Sequence, residues 1–159
     1  MTMSTRVGAY LDAQKIRYDT VNHAHSNTSI EAAMAAQLSP SSIAKAVLLE
    51  DHEGRHLMAV LPSNHKISLQ KLQRQLDLEL HFADEQQVYA MFNDCDPGAV
   101  PAIAQAYNMN AIYDEALSNR GDVYLEAGDH ETLIHLSQDQ FGKLMQHTKH
   151  SVFSGETFH

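Results

Sequence analysis

Two β-hairpin patterns, one in each half of the chain, limit the folds open to this sequence. Residues 43–49 and 56–61 are rich in apolar, β-forming side chains and flank an Asp-His-Glu-Gly turn. Residues 122–127 and 132–136 flank a second turn, Gly-Asp-His-Glu. Because hairpins join antiparallel strands, the sequence predicts an α+β fold rather than a doubly wound parallel sheet.

The segments around the hairpins predict short helices and strands. Helical spacing of apolar residues and capping residues predict helices at about residues 5–14, 28–38, 68–76, 84–91 and 137–147. Further short strands are predicted at residues 17–23, 78–82 and 110–113. We expect a single domain over residues 1–159, with a flexible tail from about residue 149.

Composition argues against several classes of protein. The chain has 11 Lys and Arg against 20 Asp and Glu, a formal charge of −9, which disfavours broad binding to nucleic acid, DNA included. A local contact with one RNA end stays open. The single cysteine, Cys95, can form no internal disulfide, which fits a reducing compartment. We see no signal peptide or membrane span, so we expect a cytoplasmic protein without a membrane partner.

The sequence Asp-Pro-Gly-Ala-Val-Pro-Ala follows the fourth predicted helix. Pro97 and Pro101 restrict the backbone, whereas Gly98 can take conformations that other residues avoid. Ala99 and Val100 have no reason to face water in such a bend. Two interpretations stay open: an ordinary tight turn, or a rigid loop that lines a pocket and presents backbone N–H groups to a ligand.

Two polar residues could carry chemistry beside such a loop. Lys45 lies among apolar neighbours in a predicted strand. Its ammonium either reaches water at the strand end or faces a cavity and holds a phosphate, carboxylate or carbonyl oxygen. His130 lies at the tip of the second hairpin, where an exposed histidine is usually inert. If the tip folds over the loop, His130 can donate or accept a hydrogen bond near neutral pH.

Metal ligands and strong nucleophiles are not evident in the sequence. Histidines form three closely spaced pairs, none with a third convergent ligand typical of catalytic zinc: His23 and His25, His52 and His56, and His147 and His150. We therefore expect no metal and no cofactor, and a metal-dependent hydrolase remains the minor alternative. Asp94 and Asp96 would raise the pKa of Cys95, so any hydrolysis would depend on positioning water and stabilising an oxyanion.

Three motifs follow one another along the chain: Ala-Lys-Ala-Val-Leu-Leu at 44–49, Asp-Cys-Asp-Pro-Gly-Ala-Val-Pro-Ala at 94–102, and Ala-Gly-Asp-His at 127–130. Together they resemble the YbaK/prolyl-tRNA-synthetase-associated editing domain family, over residues 18–144. The resemblance implies a mixed, largely antiparallel, barrel-like sheet surrounded by helices. It also implies hydrolysis of the ester of mischarged aminoacyl-tRNA, by stand-alone proteins or by domains within a synthetase.

The resemblance also implies roles for named residues. The family lysine falls on Lys45, the loop glycine on Gly98 and the histidine on His130, which become the expected catalytic residues. The expected substrate-binding residues follow in the loop: Ala99, Val100, Pro101 and Ala102. The small side chains in this loop suggest a small amino acid such as alanine, serine or cysteine.

Two positions depart from the family pattern. The family usually has proline four residues after the loop glycine, where this chain has Ala102, and often threonine after the lysine, where this chain has Ala46. We predict a deacylase that acts in trans on the acceptor end of mischarged tRNA bearing a small amino acid, with a synthetase as a further candidate partner. The alternative is a non-catalytic module that binds an aminoacyl or nucleotide group and docks on a synthetase.

Overall fold

The computed structural model describes residues 3–119 and 121–157, and the first predicted hairpin lies at the centre of its main sheet. The strands are β1 Asp19–Asn22, β2 Ile43–Asp51, β3 His56–Pro62, β4 His65–Ile67, β5 Leu80–Phe82, β6 Asn110–Asp114, β7 Val123–Glu126, β8 Thr132–Leu136, β9 Lys149–Ser151 and β10 Ser154–Glu156. The α-helices are α1 Thr5–Ala13, α2 Ser29–Ala35, α3 Leu69–Leu76, α4 Glu85–Met91 and α5 Gln138–Leu144. Short 3-10 helices occupy Pro40–Ser42, Ala104–Tyr107 and Glu115–Asn119.

The main sheet has the strand order β1-β8-β7-β2-β3-β6-β9, and β5 pairs with the far end of β2. The hairpins β2–β3 and β7–β8 are antiparallel and adjoin through a parallel pairing of β2 with β7. The predicted α+β class and the mixed, largely antiparallel sheet are therefore confirmed. Because β1 and β9 lie at opposite ends of the order, the sheet is open rather than closed into a barrel.

Each α-helix begins at a capping side chain. Ser4, Thr28, Ser68, Asp84 and Ser137 each accept a hydrogen bond from the backbone N–H three residues later. This bond satisfies one of the four amide groups that a helix start leaves without a partner. The five predicted helices are confirmed, with ends that differ by a few residues. None of the helices in the described segments has the length and apolar character needed to cross a bilayer.

Side chains alternate between the two faces of the central hairpin, and both faces are covered by other elements. On one face, the larger core cluster packs Ala44 and Leu48 with α1 and α5. On the other face, Leu49 and Leu61 pack with α3 and Phe153. Ile43, on this second face, packs instead with α2. Lys45 follows Ile43 by two residues and therefore emerges on the face that α2 covers.

The C-terminal segment differs from the sequence prediction of a flexible tail from about residue 149. β9 pairs with β6, and β10 pairs with β4. Between these strands, Phe153 is fully buried, and the Asp114 carboxylate accepts the N–H groups of Phe153 and Ser154 at 3.1 and 3.0 Å. Most of the strand residues in this segment face solvent, which explains its polar sequence. Phe153 is the large apolar side chain that anchors the segment to the core. Residues 158 and 159 of the predicted tail lie outside the described residues.

Candidate functional site

Lys45, Gly98 and His130 line one cavity of about 310 Å³. Its walls come from β2, the start of α2, the loop of residues 96–102, called the Pro-Gly loop below, and the β7–β8 hairpin. The sequence places these residues far apart along the chain, and the parallel pairing of β2 with β7 brings them together. The cavity is therefore a product of the sheet topology.

Lys45 enters this cavity from β2, where it pairs with Leu61. It is half-buried, and desolvation by burial lowers the pKa of its ammonium below the ordinary value. Within residues 3–119 and 121–157, the ammonium forms no hydrogen bond and no ion pair. A partly desolvated cation without a protein partner is suited to bind an anionic or carbonyl oxygen of a ligand.

The Pro-Gly loop reaches the cavity through Gly98 and Val100. Gly98 has a φ of +83°, a left-handed conformation that favours glycine. The Ala99 N–H donates to the Asp96 carbonyl at 2.9 Å, so it is already engaged. The N–H groups of Gly98 and Val100 have no acceptor among the described residues. Since both residues line the cavity, these two groups are the candidate loop donors to a bound oxygen.

His130 connects the tip of the β7–β8 hairpin to the Pro-Gly loop. Its Nε2 lies 2.6 Å from the Pro97 carbonyl oxygen, and because a carbonyl can only accept, Nε2 carries the proton and donates. The residue is 7% exposed, and a Cβ built on Gly98 would lie 3.6 Å from its Cε1 atom. The tip therefore folds over the loop, and His130 is not the exposed, inert histidine that hairpin tips usually carry.

Glu126, at the end of β7, lines the same cavity and was missed by the sequence analysis. One carboxylate oxygen, Oε1, accepts the N–H groups of Ala127, Gly128 and His130, each at 3.1 Å. The sequence of β7 did carry a signal for Glu126, because side chains along a strand point alternately to opposite faces. Since Val123 and Leu125 are fully buried on the core side, Glu126 must point to the opposite face, which Lys45 shares.

Most of the loop residues predicted to bind substrate do not line the cavity. Ala99 and Ala102 are fully buried, and Pro101 is buried as well. Ala102 packs in the larger core cluster. Of the four residues predicted to bind substrate, Val100 alone lines the cavity. The small side chains of the loop therefore allow close packing beneath it, and they do not indicate the size of a substrate.

A polar network behind the loop fixes it to the N-terminus of α1. The Asp94 carboxylate accepts hydrogen bonds from the hydroxyls of Ser4 and Tyr107, the latter at 2.9 Å. Although burial opposes it, these hydrogen bonds hold the pKa of Asp94 below its ordinary value. The Ser4 N–H donates to the Ala127 carbonyl at 2.8 Å, which links the network to the hairpin tip. Burial and the nearby Asp94 charge raise the pKa of Cys95 to about 11, so its thiol is a poor nucleophile at neutral pH.

The described residues contain a larger cavity elsewhere but no group of side chains arranged for a metal ion. No group of three or more His, Cys, Asp and Glu side chains in residues 3–119 and 121–157 is arranged to hold a metal ion. A larger cavity of about 770 Å³ lies between α1, α5, β6 and the loop after α3. It contains none of the residues that the sequence predicts for the site.

Solved structures share the architecture over nearly the whole chain. Hypothetical protein APE2540 is 20% identical, with a TM-score of 0.83 over 94% of this chain and 99% of its own. A protein described as a "putative trans-editing enzyme for prolyl tRNA synthetase" is 19% identical, with a TM-score of 0.82 over 96% of both chains. A "putative signal transduction protein" from Marinobacter aquaeolei VT8 is 17% identical, with a TM-score of 0.77 over 98% of this chain and 31% of its own. At these identities the likeness establishes the fold alone.

Sequence comparison is decisive for the family. No curated protein matches the chain. The sequence profile described as the aminoacyl-tRNA editing domain matches residues 23–144, which is most of the chain. The match includes β2 with Lys45, the Pro-Gly loop and the hairpin tip with His130, as the resemblance of the three motifs predicts. The chain therefore belongs to the aminoacyl-tRNA editing domain family.

Proposed function

We propose that the protein is an aminoacyl-tRNA deacylase that acts in trans and hydrolyses the ester of mischarged tRNA bearing a small amino acid. One observation carries the proposal. Within the described residues, the Lys45 ammonium has no partner and the N–H groups of Gly98 and Val100 have no acceptor, and these residues line one cavity of about 310 Å³ together with His130. Such an arrangement can hold an acyl ester and stabilise negative charge on its oxygen without a protein nucleophile.

Lys45 and the loop have separate tasks in this mechanism. The Lys45 ammonium binds the phosphate or ribose region of the terminal adenosine of tRNA. The N–H groups of Gly98 and Val100 polarise the ester carbonyl and donate to the oxyanion that forms on it. Ala99 is left out, because its N–H is held by the Asp96 carbonyl.

Water is the nucleophile in the proposed reaction. Its oxygen bonds to the carbonyl carbon and gives a tetrahedral intermediate. The carbon–oxygen bond to the ribose then breaks, and the proton lost by water ends on the ribose oxygen, with the neighbouring ribose hydroxyl as a relay. His130 holds the hairpin tip against the loop through its hydrogen bond to the Pro97 carbonyl. Because both segments line the cavity, this contact orients substrate and water.

The preference for a small amino acid rests on the cavity volume. Pockets for small molecules usually enclose about 300–1,000 Å³. The cavity of about 310 Å³ lies at the lower end of this range and must also accept part of the adenosine. Alanine, serine and cysteine are therefore the amino acids that we propose first.

A non-catalytic module that docks on a synthetase is the second candidate. The formal charge of −9 favours it, because an acidic chain gains little attraction for tRNA by itself. A partner that delivers the acceptor end would supply the missing affinity. In this case the cavity would bind an aminoacyl or nucleotide group and release it unchanged.

A deacylation panel separates the two candidates. Mischarged tRNAs carrying alanine, serine, cysteine and larger amino acids are incubated with protein far below the substrate concentration. We expect multiple turnovers on the small amino acids and a reaction about 10- to 100-fold slower for Lys45→Ala, because a charged hydrogen bond to the tRNA end is lost. Lys66→Ala, at an exposed lysine of β4, is the matched control and should retain the wild-type rate.

Each contrary result has a separate meaning. Equal rates for wild type and Lys45→Ala would remove Lys45 from the mechanism. Binding without turnover on the whole panel would favour the non-catalytic module. Loss of activity on addition of a chelator would favour the metal-dependent hydrolase.

A further inference from the structure

Glu126 carries the second charge of the cavity, and the proposed mechanism assigns it no role. We propose that Glu126 binds the α-ammonium group of the aminoacyl ester and so makes a free α-amino group a requirement for the substrate. This inference rests on the proposed function for the identity of the ligand. It adds the group by which the site tells an aminoacyl ester from other esters of the tRNA end.

The Glu126 carboxylate is held in one orientation. Oε1 accepts three backbone N–H groups of the hairpin tip, all at 3.1 Å. Oε2 accepts no hydrogen bond within residues 3–119 and 121–157. Glu126 lines the cavity, and Oε2 is the carboxylate oxygen left without a donor for a ligand to satisfy. An orientation fixed by three hydrogen bonds also limits the entropy that ligand binding would cost.

Lys45 and Glu126 give the cavity two opposite charges at neighbouring positions. The parallel register pairs Ala44 of β2 with Leu125 of β7, so Lys45 and Glu126 are the next residues on adjacent strands and share a face. They nevertheless form no ion pair with each other. An aminoacyl-adenosine carries a matching pair of charges, with an ammonium on the acyl group and a phosphate beyond the ribose.

The competing explanation is that Glu126 only closes the hairpin tip. A glutamine would do this equally well, because its amide oxygen can accept the same three N–H groups. Glutamine would then place a neutral NH₂ donor at the position of Oε2. The substitution Glu126→Gln therefore keeps the structural role and removes the charge, so it separates the two explanations.

The experiment measures binding with analogues that cannot be hydrolysed. The ligands are 3′-alanylamino-3′-deoxyadenosine 5′-phosphate and its N-acetyl derivative, whose amide replaces the ester. We expect wild type to bind the free amine about 10- to 100-fold more tightly than the acetylated form, the usual value of a charged hydrogen bond. Glu126→Gln should reduce this ratio to within about threefold of one. Glu131→Gln, at a partly exposed glutamate of the same hairpin, is the matched control and should keep the wild-type ratio.

The outcomes separate this inference from the deacylase activity. A wild-type ratio near one overturns the inference whatever the rate of hydrolysis, and it does so without any variant. A high ratio that persists in Glu126→Gln also overturns it and assigns the selectivity to another group. A high ratio in wild type that is lost in Glu126→Gln supports it, even if the deacylation panel shows no turnover.

Discussion

The left-handed backbone of Gly98 allows the contribution of the loop to be tested by one added methyl group. In Gly98→Ala, the new Cβ would meet its nearest neighbour, Cε1 of His130, at 3.6 Å, which is ordinary van der Waals contact. The added atom therefore fits the space. The φ of +83° is the remaining difficulty, because an L-residue with a side chain avoids this conformation.

The expected loss of stability follows from this strain alone. A left-handed conformation costs a residue with a Cβ about 1–2 kcal/mol relative to glycine. For a chain of this size, that corresponds to a melting temperature lower by about 2–8 °C. If the loop relaxes to relieve the strain, the N–H groups of Gly98 and Val100 move away from the position that we propose for the ester oxygen. Misplacement by about 1 Å can slow a reaction about a hundredfold, so we expect a loss of that order in deacylation.

Gly54 provides a matched control in the β2–β3 turn. Its φ is +81°, and a Cβ built on it would meet Glu50 Oε1 at 3.9 Å, so Gly54→Ala introduces nearly the same strain without a clash. The assay compares the melting temperature and the deacylation rate of both variants with those of wild type. We expect similar melting temperatures, with the loss of rate confined to Gly98→Ala.

Two results would refute this reasoning. Equal deacylation rates in Gly98→Ala and Gly54→Ala would mean that the loop backbone takes no part in the reaction. A much larger loss of stability in Gly98→Ala than in Gly54→Ala would mean that the Cβ meets an obstacle that the structure does not show.

Three further predictions concern stability and reactivity. Lys45→Met should raise the melting temperature at neutral pH, because the folded protein holds the Lys45 proton less tightly than the unfolded chain does. This gain in melting temperature should shrink as the pH rises through the lowered pKa toward the ordinary value of 10.5. A gain that does not depend on pH would contradict the prediction. Cys95, with a pKa of about 11, should react with iodoacetamide at pH 8 far more slowly than in denaturant, and equal rates would contradict its burial. Phe153→Ala should lower the free energy of unfolding in urea by about 3–5 kcal/mol, and a loss below about 1 kcal/mol would mean that the C-terminal strands are not held by this side chain.

Local signals in the sequence predicted most of the fold. Capping residues such as Thr28 and Ser137 mark helix starts, because their side chains satisfy amide groups that the helix cannot. Both hairpins were predicted from short turns between two apolar, β-forming segments, which is also a local signal. The strands β4, β9 and β10 were missed, since they are three residues long and depend on partners that are distant in the sequence.

The candidate site was predictable only where a residue conflicted with its surroundings. Lys45 stood out because a charge among apolar residues needs an explanation, and Gly98 because of its prolines. Glu126 did not stand out, since a glutamate at a strand end is common. The predicted contact of Ala99 and Ala102 with substrate stays a prediction, although both residues are fully buried. In the sequence, a small apolar residue of a pocket wall cannot be distinguished from one of a packed core. Only three-dimensional packing separates these two cases.

The bond between His130 and the Pro97 carbonyl joins two segments that are 33 residues apart in the sequence. Because Pro97 precedes Gly98 and His130 lies at the hairpin tip, this bond links two walls of the cavity directly. A movement of the hairpin tip would therefore carry the loop with it, and the two walls would shift together rather than one at a time.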